Sequence, residues 1–360
     1  MIWSLIGSII LPVSPAETFY IGTYTKPGGS QGIYRSTLDP ATGQLSAPGL
    51  AAEAENPSWL TLRPDGRFLY AVLEFTGGQV AAYRVLPDGG LVLANRESWE
   101  GRGPCHASVD PTGQWLLASA YGQGSLGLFP IGPDGRLGPV YSTFQNNGSG
   151  PNKSRQSGPH LHSAYFAGGK AIACDLGTDQ ILVFDVTRDG LVPGPSASTH
   201  PGGGPRHLAF HPNGKTVYVN LEMGNAVSAF SWDDRTLRWR QTVKTLPHGV
   251  QEEGKTTAAI VCSSNGKQLY VSNRGHDSIA VFSLSGRDRM KLVEIAPAGV
   301  KEPRGMALDP TGRWLVVGGQ ASDDVVSLRI DPNLGKLSGP VSRISVGSPV
   351  CVAFQKALGF

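Results

Sequence analysis

A proline that opens an alternating apolar run, followed nine residues later by a turn glycine, recurs along this chain: Pro57 to Gly66, Pro104 to Gly113, Pro159 to Gly168, Pro205 to Gly214 and Pro303 to Gly312. A degenerate copy runs from Thr257 to Gly266, and Pro349 opens a last copy, VCVAF, near the C-terminus. Successive openings lie 46 to 55 residues apart. After each turn comes a second apolar run, then a polar loop and a third run, then a weaker fourth. β-Branched and aromatic residues in period-two alternation, bounded by Gly, Asn, Asp and Pro, read as strands. Four strands per unit, repeated, read as propeller blades.

The count closes into a ring. Six complete units run from Pro57 to about Ile344. The N-terminal FYIGTY and GIYRSTL are strands with no opening strand before them, and the C-terminal PVCVAF is an opening strand with nothing after it. Joined, they make a further blade that ties both termini into one sheet and removes the open edge. The predicted fold is all-β: a seven-bladed β-propeller with four antiparallel strands per blade, one domain over residues 17–360. With 48 Gly and 27 Pro the composition disfavours long helices.

Lys and Arg number 31 against 28 Asp and Glu, a net charge of +3, which is no footprint for nucleic acid. No apolar run reaches the ~18 residues of a membrane helix. Residues 1–16 are apolar and end Ser14-Pro15-Ala16, which resembles a signal-peptide cleavage site and points to secretion or the periplasm. Cys105, Cys174, Cys262 and Cys351 fall on different strands with no C-x-x-C spacing. Four buried free thiols are expected, which favours the cytoplasm instead. The G-x-G-x-x-G of Gly122–Gly127 precedes a strand rather than a helix, so it is not a dinucleotide fingerprint. Asp233-Asp234 and Asp323-Asp324 read as turn chemistry.

In an up-and-down blade the start of the first strand and the end of the second meet on one face, around the central channel. Eight residues beyond each turn glycine stand Glu74, Tyr121, Leu176, Glu222, Arg274 and Gln320. One residue beyond each opening stand Ser58, Cys105, His160, Arg206, Ala258, Arg304 and Val350, with His106, His162 and His207 close by. Imidazole, guanidinium and carboxylate groups thus gather at one mouth, which turn structure does not explain. His207 reads as structural and His211, by the opposite turn, as surface. The polar insert Asn146–Ser157 accounts for the 55-residue spacing. From it Lys153 and Arg155 could reach over the mouth as a lid; a solvated loop is the alternative.

The stretches FYIGTYT (19–25), GPCHASVDPTG (103–113), GPNKSRQSGPHLHS (150–163), GPRHLAFHPNGKTVYV (204–219), YVSNRGHDSIAVF (270–282) and PRGMALDPTGRWLVVGGQ (303–320) carry a resemblance. Jointly they are similar to the lactonase family of seven-bladed propellers, which includes propeller-type 6-phosphogluconolactonases and fungal carboxymuconate-lactonizing enzymes. The resemblance spans Phe19 to Phe354. It implies a site built from His162 with His160 beside it, Arg206, Glu222 and Arg274, and no metal or cofactor. The chain departs from the family where Leu221 precedes Glu222 in place of Asn, and where Ala258-Ala259-Ile260-Val261 carries no polar group.

Opening a lactone needs a base for the attacking water and positive charge near the developing oxyanion. Glu222 or His162 is the expected base, with Arg206 and Arg274 as anion or oxyanion clamps. His106, Tyr121, His160, Asn273, Arg304 and Gln320 are the expected substrate-binding residues. The expected activity is hydrolysis of a small anionic sugar lactone, of the 6-phosphogluconolactone kind, and that lactone is the expected partner, with no nucleic acid and no membrane span. The alternatives are lactonisation of an unsaturated dicarboxylate and a non-enzymatic secreted binding propeller. Replacing Arg206 or Glu222 by Ala is expected to cause a large loss of lactone hydrolysis with unchanged melting.

Overall fold

The structure, a computed structural model, describes residues 15–75, 77–285 and 289–355. Most of the leader-like segment, residues 1–14, lies outside the described residues. Seven four-stranded antiparallel sheets follow one another around a ring, as the repeat predicts. We number the blades from the one that holds the termini. Blade one orders its strands Pro349–Phe354, Glu17–Thr23, Gly32–Leu38 and Gly49–Glu53. The C-terminal strand pairs with the N-terminal one from Phe19 opposite Phe354 to Gly22 opposite Cys351, so the ring is closed by main-chain hydrogen bonds between the chain's two ends. Blade four carries an extra two-residue strand, Ala197–Ser198.

Inner strands are apolar on both faces because each blade is sandwiched between two others. Phe68–Leu73 and Thr216–Leu221 are buried along their whole length. Among the described residues the core resolves into seven apolar clusters, each made by two consecutive blades. Tyr70 and Val72 of blade two pack on Leu116 and Phe129 of blade three. Phe19 and Ile21 of blade one pack on Trp314 and Val316 of blade seven. Buried tyrosines tie the blades further, since a buried hydroxyl needs a partner. The Tyr20, Tyr70 and Tyr270 hydroxyls each donate, at 2.9–3.0 Å, to the carbonyl of a turn glycine in the next blade.

The turns on the outer face are held by their own aspartates. Asp110 Oδ1 accepts from the main-chain N–H of Gln114 and Trp115, and Asp309 Oδ1 from that of Trp314. Asp233 caps Arg235 and Thr236 in the same way, as turn chemistry predicts, whereas Asp323 accepts the distant Ser348 N–H and Asp324 pairs with Arg343. His211 is a correction: it is half-buried, not a surface residue. Its Nε2 donates to the Gly266 carbonyl of blade six at 3.0 Å, while its Nδ1 accepts from the Asn213 N–H. The four cysteines are unpaired. Three are buried and Cys262 is half-buried, which differs from the four buried thiols expected. Among the described residues no helix is long and apolar enough to cross a membrane.

One irregularity recurs at the channel. In blade three Pro104 pairs with Ala120 and His106 with Ser119, leaving Cys105 unpaired. In blade four Leu161 pairs with Asp175 and Ser163 with Cys174, leaving His162. In blade seven Pro303 pairs with Gly319 and Gly305 with Gly318, leaving Arg304. Blades five and six break register at the same place, around Arg206-His207 and Ala258-Ala259. A bulge puts one extra residue on one strand and re-aims its side chain. Here the extra residue is repeatedly the one turned toward the ring axis. Gly305 follows the Arg304 bulge without room for a Cβ, which would lie 2.5 Å from the Val350 carbonyl oxygen of blade one.

Candidate active site

The bulge residues and the residues at the ends of the second strands together wall a cavity of about 370 Å³ at the predicted mouth. Cys105, His162 and Arg304 come from the bulges; Glu74, Tyr121 and Glu222 follow the second strands, and Arg274 ends one. Arg155 of the insert, Glu302, Thr256 and Gly254 complete the wall. A groove of about 480 Å³ on the opposite face, near Trp314 and Tyr270, is larger but holds no comparable set of buried charges.

Glu222 is the hub. Its Oε2 accepts from Arg206 Nε at 3.0 Å and faces Arg274 Nη2 at 3.3 Å. Its Oε1 accepts from Arg155 Nη2 at 2.7 Å. Burial by itself would push this carboxyl up, but Arg274, Arg206 and the other cations outweigh it and hold it well below the usual carboxylate range. Glu222 is therefore ionised at neutral pH.

Arg206 stands behind the cavity wall rather than in it. Its side chain is 3 % exposed, and its Nη1 donates to the Ala258 carbonyl at 2.6 Å. The apolar stretch of blade six thus contributes through its backbone where the sequence offers no side chain. Asn220 braces the same place, donating to Thr257 Oγ1 and the Ala258 carbonyl while accepting the His207 N–H.

Arg304 is arranged differently. Among the described residues no carboxylate lies within 4.0 Å of its guanidinium. Its Nη2 donates to the Tyr24 hydroxyl at 2.9 Å, and its guanidinium lies 5.3 Å over the Tyr24 ring. Tyr24 in turn donates to Glu74 Oε2 at 2.9 Å. His162 lines the same cavity. Burial, followed by the charge of Arg206, holds its imidazole well below the ordinary histidine range, so it is neutral at pH 7. Its Nδ1 faces Cys105 Sγ at 3.9 Å, and the thiol donates to the His162 carbonyl at 3.3 Å. Burial pushes the Cys105 thiol up, so it stays protonated.

The structure brings His162, Glu222, Arg274, Tyr121 and Arg304 to one cavity, with Arg206 directly behind Glu222. Four other expected residues are not brought there. His106 is fully buried below it, packed on Trp59 at 4.4 Å and Tyr165 at 4.5 Å. Asn273 is also fully buried, and its amide donates to the Thr245 carbonyl and Ser278 Oγ. It immediately precedes Arg274 on the strand, so alternation turns it away from the axis. His160 stacks on Tyr121 at 4.3 Å and bonds its carbonyl, which makes it a support for Tyr121. Gln320 follows the second strand of blade seven but lies outside the cavity wall. Tyr24 and Asn220 were missing from the expected site, and Glu74, placed on the rim by the count, was assigned no role. Of the two candidate lid residues, Arg155 does reach the mouth, whereas Lys153 is exposed. Among the described residues no group of three or more His, Cys, Asp or Glu side chains could hold a metal ion.

Comparison with known proteins agrees with this architecture. Residues 18–354 match the family model "Lactonase, 7-bladed beta-propeller". The chain is 36 % identical over 342 residues to the 6-phosphogluconolactonase of Bacillus subtilis, covering 93 % of this chain and 97 % of that one. It is 32 % identical to the 6-phosphogluconolactonase of Formosa agariphila, covering 88 % and 94 %. The solved structure of the periplasmic gluconolactonase PpgL of Pseudomonas aeruginosa superposes with a TM-score of 0.89 at 30 % identity, over 95 % of this chain and 99 % of that one. By its fold, by the residues at its channel and by similarity along nearly its whole length, the chain belongs to the lactonase family of seven-bladed β-propellers.

Proposed function

We propose that the protein hydrolyses the lactone of a phosphorylated sugar acid, 6-phosphogluconolactone, and that His162 is the general base. The carrying observation is that a neutral imidazole and a guanidinium without a carboxylate partner, His162 and Arg304, face the same cavity. A volume of about 370 Å³ suits a small sugar derivative.

In this reading His162 takes a proton from water as its oxygen attacks the ring carbonyl carbon. The carbonyl oxygen gains negative charge, which Arg304 stabilises more strongly in the transition state than in the ground state. The tetrahedral intermediate collapses by breaking the bond to the ring oxygen, which recovers the proton from His162. The ionised Glu222 supports the transient imidazolium electrostatically. Arg206 is a positioning residue that fixes Glu222, and Arg274 adds positive charge at the mouth. The names of the Bacillus and Formosa relatives support the phosphorylated substrate.

The experiment is turnover of 6-phosphogluconolactone beside unphosphorylated gluconolactone, each corrected for uncatalysed opening. Catalysed opening with the phosphorylated lactone preferred is expected. Rates equal to the spontaneous ones for both would overturn the reading.

A further inference from the structure

The insert that lengthens the chain before blade four is a built element. Gln156 is fully buried, and its side-chain amide donates to the Leu176 carbonyl at 2.8 Å. Asn152 Oδ1 accepts from the main-chain N–H of Ser154 and Arg155, and Asn146 donates to Asp175 Oδ2 at 2.6 Å. This scaffold delivers one long cation, Arg155, over the mouth, with 38 % of its side chain exposed.

Its contacts there are asymmetric. Arg206 and Arg274 both hold Oε2 of Glu222, whereas Oε1 is held by Arg155. Arg206 is buried, at 3 % side-chain exposure, and Arg274 is half-buried, at 14 %. Arg155, the most exposed of the three guanidinium groups on Glu222, can swing while Arg206 and Arg274 stay in place. Its second partner, the Tyr121 hydroxyl at 3.3 Å, is neutral and readily exchanged.

We propose that Arg155 is the specificity-determining residue of this site: the phosphate ester of the substrate draws it off Glu222, and that transfer uncovers Oε1 for the attacking water. A phosphate dianion offers the guanidinium more charge and a bidentate geometry than one carboxylate oxygen does. Glu222 keeps Arg206 and Arg274 on Oε2, so the wall survives the exchange. The freed Oε1 then accepts one hydrogen of the water whose other hydrogen goes to His162. A lactone without a phosphate leaves Arg155 in place and meets a site with one water acceptor fewer. The inference rests on the lactonase reading above and adds a substrate-operated gate to it.

The test is R155Q compared with the wild type and R155K on both lactones, with melting temperature as a control for folding. For R155Q, kcat/KM on the phosphorylated lactone is expected to fall about 10- to 100-fold, as loss of a charge-assisted contact predicts. On gluconolactone kcat is expected to rise, because Oε1 is free from the start. R155K should recover part of the first effect. Parallel losses on both lactones, or no change on either, overturn the proposal. A loss on the phosphorylated lactone without a gain on the other overturns the gate and leaves a phosphate clamp. If the wild type opens neither lactone, it is the hydrolase reading that fails. Titration with inorganic phosphate then decides the anion contact alone: equal affinity of wild type and R155Q would overturn it.

Discussion

Arg206 Nε, from the first strand of blade five, donates across 3.0 Å to Oε2 of Glu222, just past the second strand, with the two side chains 3 % and 4 % exposed. A pair so deeply buried is no ornament of the rim. Removing one partner leaves a charge uncompensated in the interior, which typically costs about 3–5 kcal/mol.

Glu222→Gln is therefore expected to lower stability as well as activity, which differs from the unchanged melting expected of two rim residues. The same holds for Arg206→Ala, although Arg274 and Arg155 would still neutralise Glu222. Urea unfolding at pH 7 should show the larger loss for Glu222→Gln, which strands three guanidinium groups. Coinciding denaturation midpoints for wild type and both variants would show that the hub has no structural weight.

The fold was legible because its punctuation is physical. A turn glycine at positive φ, such as Gly66, Gly113 and Gly312, recurs at a fixed distance from each opening strand. The site was legible to the extent that the hairpins share one length. The paired strand ends lie 16 residues apart in Pro104–Ala120, Pro205–Leu221, Thr257–Asn273 and Pro303–Gly319. In blade four, Leu161–Asp175 spans 14, because Gly168-Gly169 close a tight two-residue turn between Ala167 and Lys170. The uniform count therefore landed on His160, and the bulge residue is His162. Tyr24 occupies the position in blade one that Tyr121 and Glu222 occupy in theirs, just past the second strand. It was missed because the turn that precedes it in the other blades is replaced by the junction of the two termini.

Three imidazoles form the floor beneath the cavity. The ring centroids of His162 and His207 lie 5.1 Å apart, and those of His106 and His207 lie 5.5 Å apart. Burial, followed by the charge of Arg206, depresses all three, His106 to about 3. The unfolded chain titrates near the ordinary value of about 6.5. Below that pH it binds protons that the folded state refuses, so stability is lost as pH falls from about 6.5 toward the folded values. Each such histidine contributes a slope of about 1.4 kcal/mol per pH unit. Urea unfolding between pH 7.5 and 4.5 should show a steep decline, and His106→Leu should make it shallower by one proton's worth. Parallel pH dependences for wild type and variant would mean that His106 is protonated in the folded state.

Tyr24 and Arg304 supply the sharpest check on the chemistry. The Tyr24 hydroxyl accepts from Arg304 and donates to Glu74, while its ring lies against the guanidinium. Tyr24→Phe keeps the ring and deletes the hydroxyl, so Arg304 loses its aim but retains its charge and packing. If Arg304 meets the oxyanion, the defect belongs to the transition state. In that case kcat on the phosphorylated lactone should fall about tenfold with KM little changed, the scale expected when a hydrogen bond to a charged group is lost. Melting should change little, since the ring contact with the guanidinium survives. A raised KM at constant kcat would instead place Arg304 on a group of the substrate already charged before the reaction begins, and the oxyanion would need another donor.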